Sequence, residues 1–157
     1  MAKSDGITMR GFFRLQIEDP DGSIVGDSGW NQNTVTNVGK EHYLSALLGN
    51  TTNSKQVKYM AIGSGTAPNV THTALDCEMM SSTERVAVTV SVSTSSKVRF
   101  TCTFNSTDRT LVAGYAIQNI GLFETTTAGT LFAGSTYATS TAASNQNVNA
   151  TYDITFT

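Results

Sequence analysis

Two stretches near the middle of the chain constrain its fold more than any other feature. Val86, Val88, Val90 and Val92 alternate with Ala87, Thr89, Ser91 and Ser93. Val98, Phe100, Cys102 and Phe104 alternate with Arg99, Thr101, Thr103 and Asn105. A period of two sends successive side chains to opposite faces of a β-strand, and β-branched and aromatic residues suit that pleated surface. Only Thr94-Ser95-Ser96-Lys97 separates the two runs, a connection short enough for an antiparallel hairpin. Strands over 85–93 and 97–105 are therefore predicted to form the core hairpin. Its inward set is Val86, Val88, Val90 and Val92 with Phe100, Cys102 and Phe104.

The same period recurs elsewhere. Phe13, Leu15 and Ile17 alternate with Arg14, Gln16 and Glu18, then meet Asp19-Pro20-Asp21-Gly22 and return through Ser23-Ile24-Val25. Proline presets φ for a turn and glycine accepts positive φ, so 11–26 reads as a hairpin. Strands are also expected at 34–36, 57–62, 115–124, 130–137 and 149–156. One helix is expected near 38–48, with Asn37 as its N-cap, Gly49 as its C-cap and an apolar stripe of Tyr43, Leu44, Leu47 and Leu48. A second, shorter helical turn is expected from Thr73, with Ala74, Leu75 and Met79 facing inward. The stretch 138–147 reads as a low-complexity surface loop. About eight short strands with polar turns predict a mainly β chain, an antiparallel sandwich or jelly-roll-like body. The expected organisation is an N-terminal arm over 1–9 and a single β-sandwich domain over 10–157.

Composition narrows the function classes. The 157 residues include 25 Thr and 16 Ser, only 14% are charged, and the formal net charge is −2. The ten basic residues are scattered, which is not the footprint of a protein that grips phosphate backbones. No apolar run approaches the roughly 18 residues of a membrane span. Met1-Ala2-Lys3-Ser4-Asp5-Gly6 has no apolar core of a secretory signal. Cys77 and Cys102 are too few for a disulfide framework and read as reduced core or half-buried thiols.

The chemical motifs are weak. Gly26-Asp27-Ser28-Gly29 resembles the nucleophile segment of trypsin-like proteases and the first block of GDS-type esterases. No histidine precedes Ser28, and none lies beyond His72 near the C-terminus. A hydroxyl without a base is a poor nucleophile, so the segment reads as a turn. His42 and His72 read as surface histidines rather than metal ligands, since no paired Cys or His spacing accompanies them. Asp19, Asp21 and Asp27 do not meet the spacing of a calcium loop. Gly63-Ser64-Gly65-Thr66-Ala67-Pro68 lacks the Lys-Ser/Thr pair of a phosphate loop. Trp30, in the amide-rich Gly29-Trp30-Asn31-Gln32-Asn33, carries the residue kit of a sugar-stacking site and equally that of a strand-end packing residue. No enzymatic activity and no cofactor or metal is expected.

The order of segments resembles a known group. Asn33-Thr34-Val35-Thr36-Asn37-Val38-Gly39-Lys40 precedes the helix. Gly63 to Pro68 is followed by Thr73-Ala74-Leu75, Glu78 and Arg85. Then come Ile117-x-Asn119-Ile120-Gly121-Leu122-Phe123-Glu124 and Gly129-Thr130-Leu131-Phe132-Ala133. This is similar to small structural proteins of tailed-bacteriophage virions, over roughly residues 33–137. The chain departs from the group's pattern at His72, Asn119 and Gly134, where aspartate, an acid and arginine are common. The resemblance implies a non-enzymatic virion protein assembled in the host cytoplasm. It implies an auxiliary capsid protein (decoration or cement) bound to the major capsid protein, or else a tail- or fibre-associated protein touching host glycans. A homo-oligomer is expected, a trimer by analogy with lattice three-folds, with Ile7, Met9 and Trp30 as partner contacts.

Overall fold

The structure, a computed structural model, describes residues 8–48, 55–79, 85–106 and 116–157, without the side chains of 44–48 and 137–139. It is mainly β and antiparallel. The elements in chain order are β1 (Met9–Glu18), β2 (Ile24–Asp27), β3 (Asn31–Val35), α1 (Asn37–Leu48), β4 (Tyr59–Gly63), β5 (Val86–Ala87), β6 (Thr89–Thr94), β7 (Lys97–Phe104), β8 (Ala116–Phe123), β9 (Leu131–Thr141) and β10 (Asn147–Phe156). Their order in space is β5-β4-β8-β9-β3-β1-β10-β7-β6, with β2 attached to β1. β5 and β6 are two halves of one bent run around Val88. The first half pairs with β4 at one end of the sheet and the second with β7 at the other. That split wraps the sheet nearly into a barrel, which removes most of its free edge.

The alternation seen in the sequence decides which residues fill the interior. Phe13 and Leu15 of β1, Val148, Ala150, Tyr152 and Ile154 of β10, and Phe100 and Phe104 of β7 are all buried. They meet buried Met60, Ile62, Ile117, Ile120, Leu122 and Phe132 from the other half of the wall. Tyr152 is fully buried, and Asn33 donates its amide to the Tyr152 hydroxyl. Burial pushes that phenol's pKa well above its ordinary value.

Several expectations change. The core hairpin is only partly inward. Val86 and Val88 pack against the core, but Val90 is 51% exposed and Val92 74% exposed. Both sit opposite inward residues, Val90 against Phe100 and Val92 against Val98. They therefore point from the correct face, but Val90 only borders an open apolar cavity and Val92 stands mostly in solvent, so neither is packed. Period two reports a face, not its burial. The 138–147 loop shrinks, because β9 continues to Thr141, β10 begins at Asn147, and Ala142 is buried. The residues after Thr73 form turns rather than a helix, although Leu75 and Met79 do face inward.

Helix α1 starts as predicted but with a different cap. Thr36 Oγ1 accepts the Gly39 N–H at 2.9 Å, and the Thr36 carbonyl accepts the Lys40 N–H. Thr36 is thus the N-cap in place of Asn37. Tyr43 stacks on Phe156 with ring centroids 4.6 Å apart. The rest of the predicted stripe and Gly49 fall outside the described side chains and residues. The same holds for Ile7. Met9 belongs to β1, not to an arm: it pairs with Phe156, and Thr8 and Thr157 exchange backbone hydrogen bonds just beyond it. Pairing of β1 with β10 takes up Thr8 and Met9 of the expected arm.

Candidate functional site

Many of the residues that carry the virion-protein resemblance, between Gly63 and Thr130, come together around β4 and β8. β4 ends at Gly63, opposite Asn119 of β8. Asn119 is fully buried and donates to the carbonyls of Thr66 at 3.2 Å and Asp76 at 2.9 Å. Asp76 in turn accepts the Thr66 backbone N–H at 2.8 Å and its hydroxyl at 2.9 Å. Those bonds favour its ionised form and hold the carboxyl below its usual range. A side chain at Gly65 would collide with Asp76, so the glycine is needed for this close approach.

The second half of the same constellation turns on Arg85. Its Nε and Nη2 donate to the two carboxylate oxygens of Glu78, at 2.7 and 3.0 Å. Its Nη1 donates to the carbonyls of Thr125 and Ala128. The guanidinium lies 3.4 Å from the centroid of the Phe123 ring. Glu124 accepts the Thr130 backbone N–H at 3.0 Å and its hydroxyl at 3.1 Å. Ala128 and Gly129 take positive φ, which reverses the chain between β8 and β9. Asp76, Arg85, Asn119 and Glu124 hold backbone groups in place through these bonds, and Glu78 anchors Arg85. No sequence rule marked these pairings, because the partners lie from 6 to 53 residues apart.

The weak chemical motifs are also bound up in structure. Ser28 Oγ accepts the Leu15 N–H at 2.9 Å and donates to the Gly29 carbonyl at 2.8 Å. Asp27 pairs with Arg14 and accepts Gln16 and the Gly29 N–H, which holds its carboxyl far below the ordinary range. Asp21 accepts Ser23, and Asp19 accepts Gln146. The three acids therefore face separate partners rather than a common cation. Among the described residues no group of three His, Cys, Asp or Glu is placed to hold a metal.

The histidines divide. His72 is half-buried and bonded to Asn69. His42 is buried, contrary to the surface reading, because α1 turns it toward the β8–β9 connection. Its Nε2 lies 3.3 Å from Lys55 Nζ and 3.4 Å from Thr130 Oγ1, and its Nδ1 has no hydrogen-bond partner. Burial, reinforced by the Lys55 charge and opposed by Glu124 and Glu41, lowers the His42 pKa below 6.5. The unfolded chain then binds the proton more tightly than the folded one. Stability from this group is complete above about pH 6.5 and is lost as pH falls toward the folded pKa. The drop in Tm between pH 7 and pH 5.5 should be smaller in His42→Gln than in the parent. Equal drops would show that His42 does not contribute.

The thiols divide too. Cys77 is exposed, which corrects its core or half-buried reading, while half-buried Cys102 is pushed up to about 12 by desolvation. Cys77 sits in a left-handed turn conformation beside Asp76, whose charge raises its pKa.

Trp30 lies on the outer surface, 47% exposed, with the Arg99 guanidinium 5.4 Å over its ring. Arg99 donates to both oxygens of Asp153, at 2.7 and 2.8 Å, and Lys97 approaches the same carboxylate at 3.5 Å. The amides beside Trp30 are mostly used. Asn31 donates to the Ser28 and Gly29 carbonyls, and Asn33 points inward to Tyr152, leaving Gln32 exposed. At one mouth of the barrel an apolar cavity of about 410 Å³ lies between Tyr43, Val57, Val90, Phe100, Phe132 and Phe156.

The chain matches no protein family, no curated protein and no solved structure. Its site is therefore read from its own geometry. The polar residues of the resemblance motifs are spent on fixing loops. Exposed apolar side chains include Ile24 and Val25 on β2, Val90 and Val92 on the inner face of β6 beyond the packed core, and Trp30.

Proposed function

We propose that the chain is a non-enzymatic structural protein of a bacteriophage particle, an auxiliary capsid protein that docks on the capsid lattice as a homo-oligomer and stabilises it. The observation that carries this reading is the constellation around Arg85 and Asp76. The segments that resemble virion proteins pack together, and their polar side chains hold backbone to backbone across four separate stretches of chain. A rigid loop platform on a nearly closed barrel is what repeated contact with a lattice requires. Weak charge fits the same role, since a neutral, hydroxyl-rich surface associates without depending on ion pairs. Joining several weak faces in one oligomer raises avidity without new contacts.

The test is cosedimentation of the purified full chain with emptied capsids of the phage that encodes it, at low and high salt. Saturable binding that changes little with salt is expected. Failure to bind, or binding that collapses as salt rises, would overturn the proposal. A tail- or fibre-associated role in glycan contact is favoured by one observation, the half-exposed Trp30 ring beside Arg99. Binding to host cells or glycans that is lost in Trp30→Ala, without capsid binding, would select that reading instead.

A further inference from the structure

β6 is a strand with every residue from Thr89 to Thr94 exposed. Among the described residues its backbone pairs on one side only, with β7, because the chain bends at Val88 and β5 turns away to β4. Among the described residues the N–H and C=O groups of its other side have no strand partner. Proteins that remain monomeric blunt such edges with lysine, proline or inward charge. From Val86 to Ser96 this chain has no charged residue and no proline. The contrast with β2, the strand that lies off the main order, is direct. β2 has only four residues, contains Gly26 and ends in Asp27, which is ion-paired to Arg14.

We propose that the free edge of β6 is an interface, and that its occupant is β6 of a second copy of this chain, paired antiparallel about a two-fold axis through Ser91. The sequence of the edge is self-complementary in that register. Val90 falls opposite Val92 of the other copy and Val92 opposite Val90, while Thr89 falls opposite Ser93. A two-fold axis sets the same short segment of both copies face to face, so charge on the edge would meet like charge. The complete absence of charge is the condition such pairing needs. The exposed valines also lie on the face that continues into Val98 and Phe100 at the mouth of the barrel. Pairing joins two such faces into one apolar surface and covers the four valines that a lone copy leaves to water. The register shift between Val92 and Thr94 leaves Thr89–Val92 regular, so the central Val90–Val92 pairs fall in the regular part of the strand. This contact is two-fold, and it rests on named residues where the expected trimer rested on lattice analogy. It deepens the self-association in the proposed function, yet it can be tested without any particle.

The experiment is sedimentation velocity of the purified full chain across micromolar concentrations, beside Val92→Lys. Val92 is the most exposed of these valines, so lysine there should leave the circular dichroism spectrum and Tm unchanged. A dimer is expected for the parent, with the apparent mass halved in Val92→Lys. A second variant fixes the register: Ser91→Cys in a Cys77→Ser background. Paired antiparallel residues lie about 4.5–5.5 Å apart at Cα, within disulfide reach. A covalent dimer should form on mild oxidation at pH 8, where the Cys102 thiol stays protonated. A parent that is monomeric throughout would overturn the pairing, and so would a dimer that survives Val92→Lys or one that leaves Ser91→Cys uncrosslinked. A monomer whose β6 amides become protected only when capsids are added would place a capsid strand on the edge, refuting the second copy while sparing the virion reading. A dimer that ignores capsids would do the reverse.

Discussion

Arg85→Ala is expected to lower the unfolding free energy by about 3–5 kcal/mol, the range found when one partner of a buried ion pair is removed. The Arg85 side chain is 7% exposed and Glu78 is 21% exposed, so solvent screens the remaining carboxylate only in part. The substitution also deprives the Thr125 and Ala128 carbonyls of their donor and takes the guanidinium from the Phe123 ring. For a chain of this length such a loss corresponds to a fall in Tm on the order of 10 °C. Arg85→Lys should fall between, since an ammonium keeps the charge but cannot span both oxygens of Glu78 and two carbonyls at once. Thermal unfolding of the three proteins at pH 7 checks this. A loss below about 1 kcal/mol for Arg85→Ala would mean that Glu78 and the β8–β9 connection are held by something else.

Gly39→Ala is expected to destabilise the protein by about 3 kcal/mol, the upper end of the usual cost of overpacking. The sign is the informative part. Alanine in place of glycine inside a helix ordinarily gains about 1 kcal/mol. Here a Cβ at position 39 would overlap the carbonyl oxygen of Phe132 and approach its carbon to 2.8 Å. These are main-chain atoms of β9 and cannot swing aside as the tip of a side chain could. The first turn of α1 would have to lift, and with it Thr36, whose hydroxyl both caps the Gly39 N–H and donates to the Leu131 carbonyl at 2.6 Å. Denaturant titration of the variant settles the sign; a stabilised Gly39→Ala would show that α1 does not sit this closely on β9.

These two positions illustrate how differently the chain's parts could be read in advance. Gly39 falls in the first turn of the predicted helix, and Arg85 opens a predicted strand. Neither has a local reason for its identity. Gly39 is explained by a carbonyl 93 residues away, and Arg85 by carbonyls 40 and 43 residues away. His42 shows the same limit. A histidine beside Glu41 on a helix looked exposed, and only the approach of Lys55 and Thr130 reveals that it is enclosed.

What the sequence determined by itself was the set of local conformations and their faces. Alternation in Phe13–Ile17, Val98–Phe104 and Tyr152–Phe156 required strands with one apolar side, and Asp19–Gly22 required a tight turn, with Gly22 at φ +86°. Those signals are carried by neighbouring residues and survive without knowledge of the fold. The tertiary structure alone decided how far each face is covered. The bend at Val88 sends β5 and β6 to opposite ends of the sheet, so that Val86 is packed while Val92, six residues on and on the same alternation, stands in solvent. Burial depends on which distant segment arrives over a side chain, and that depends on how the whole sheet closes rather than on the period of any one strand.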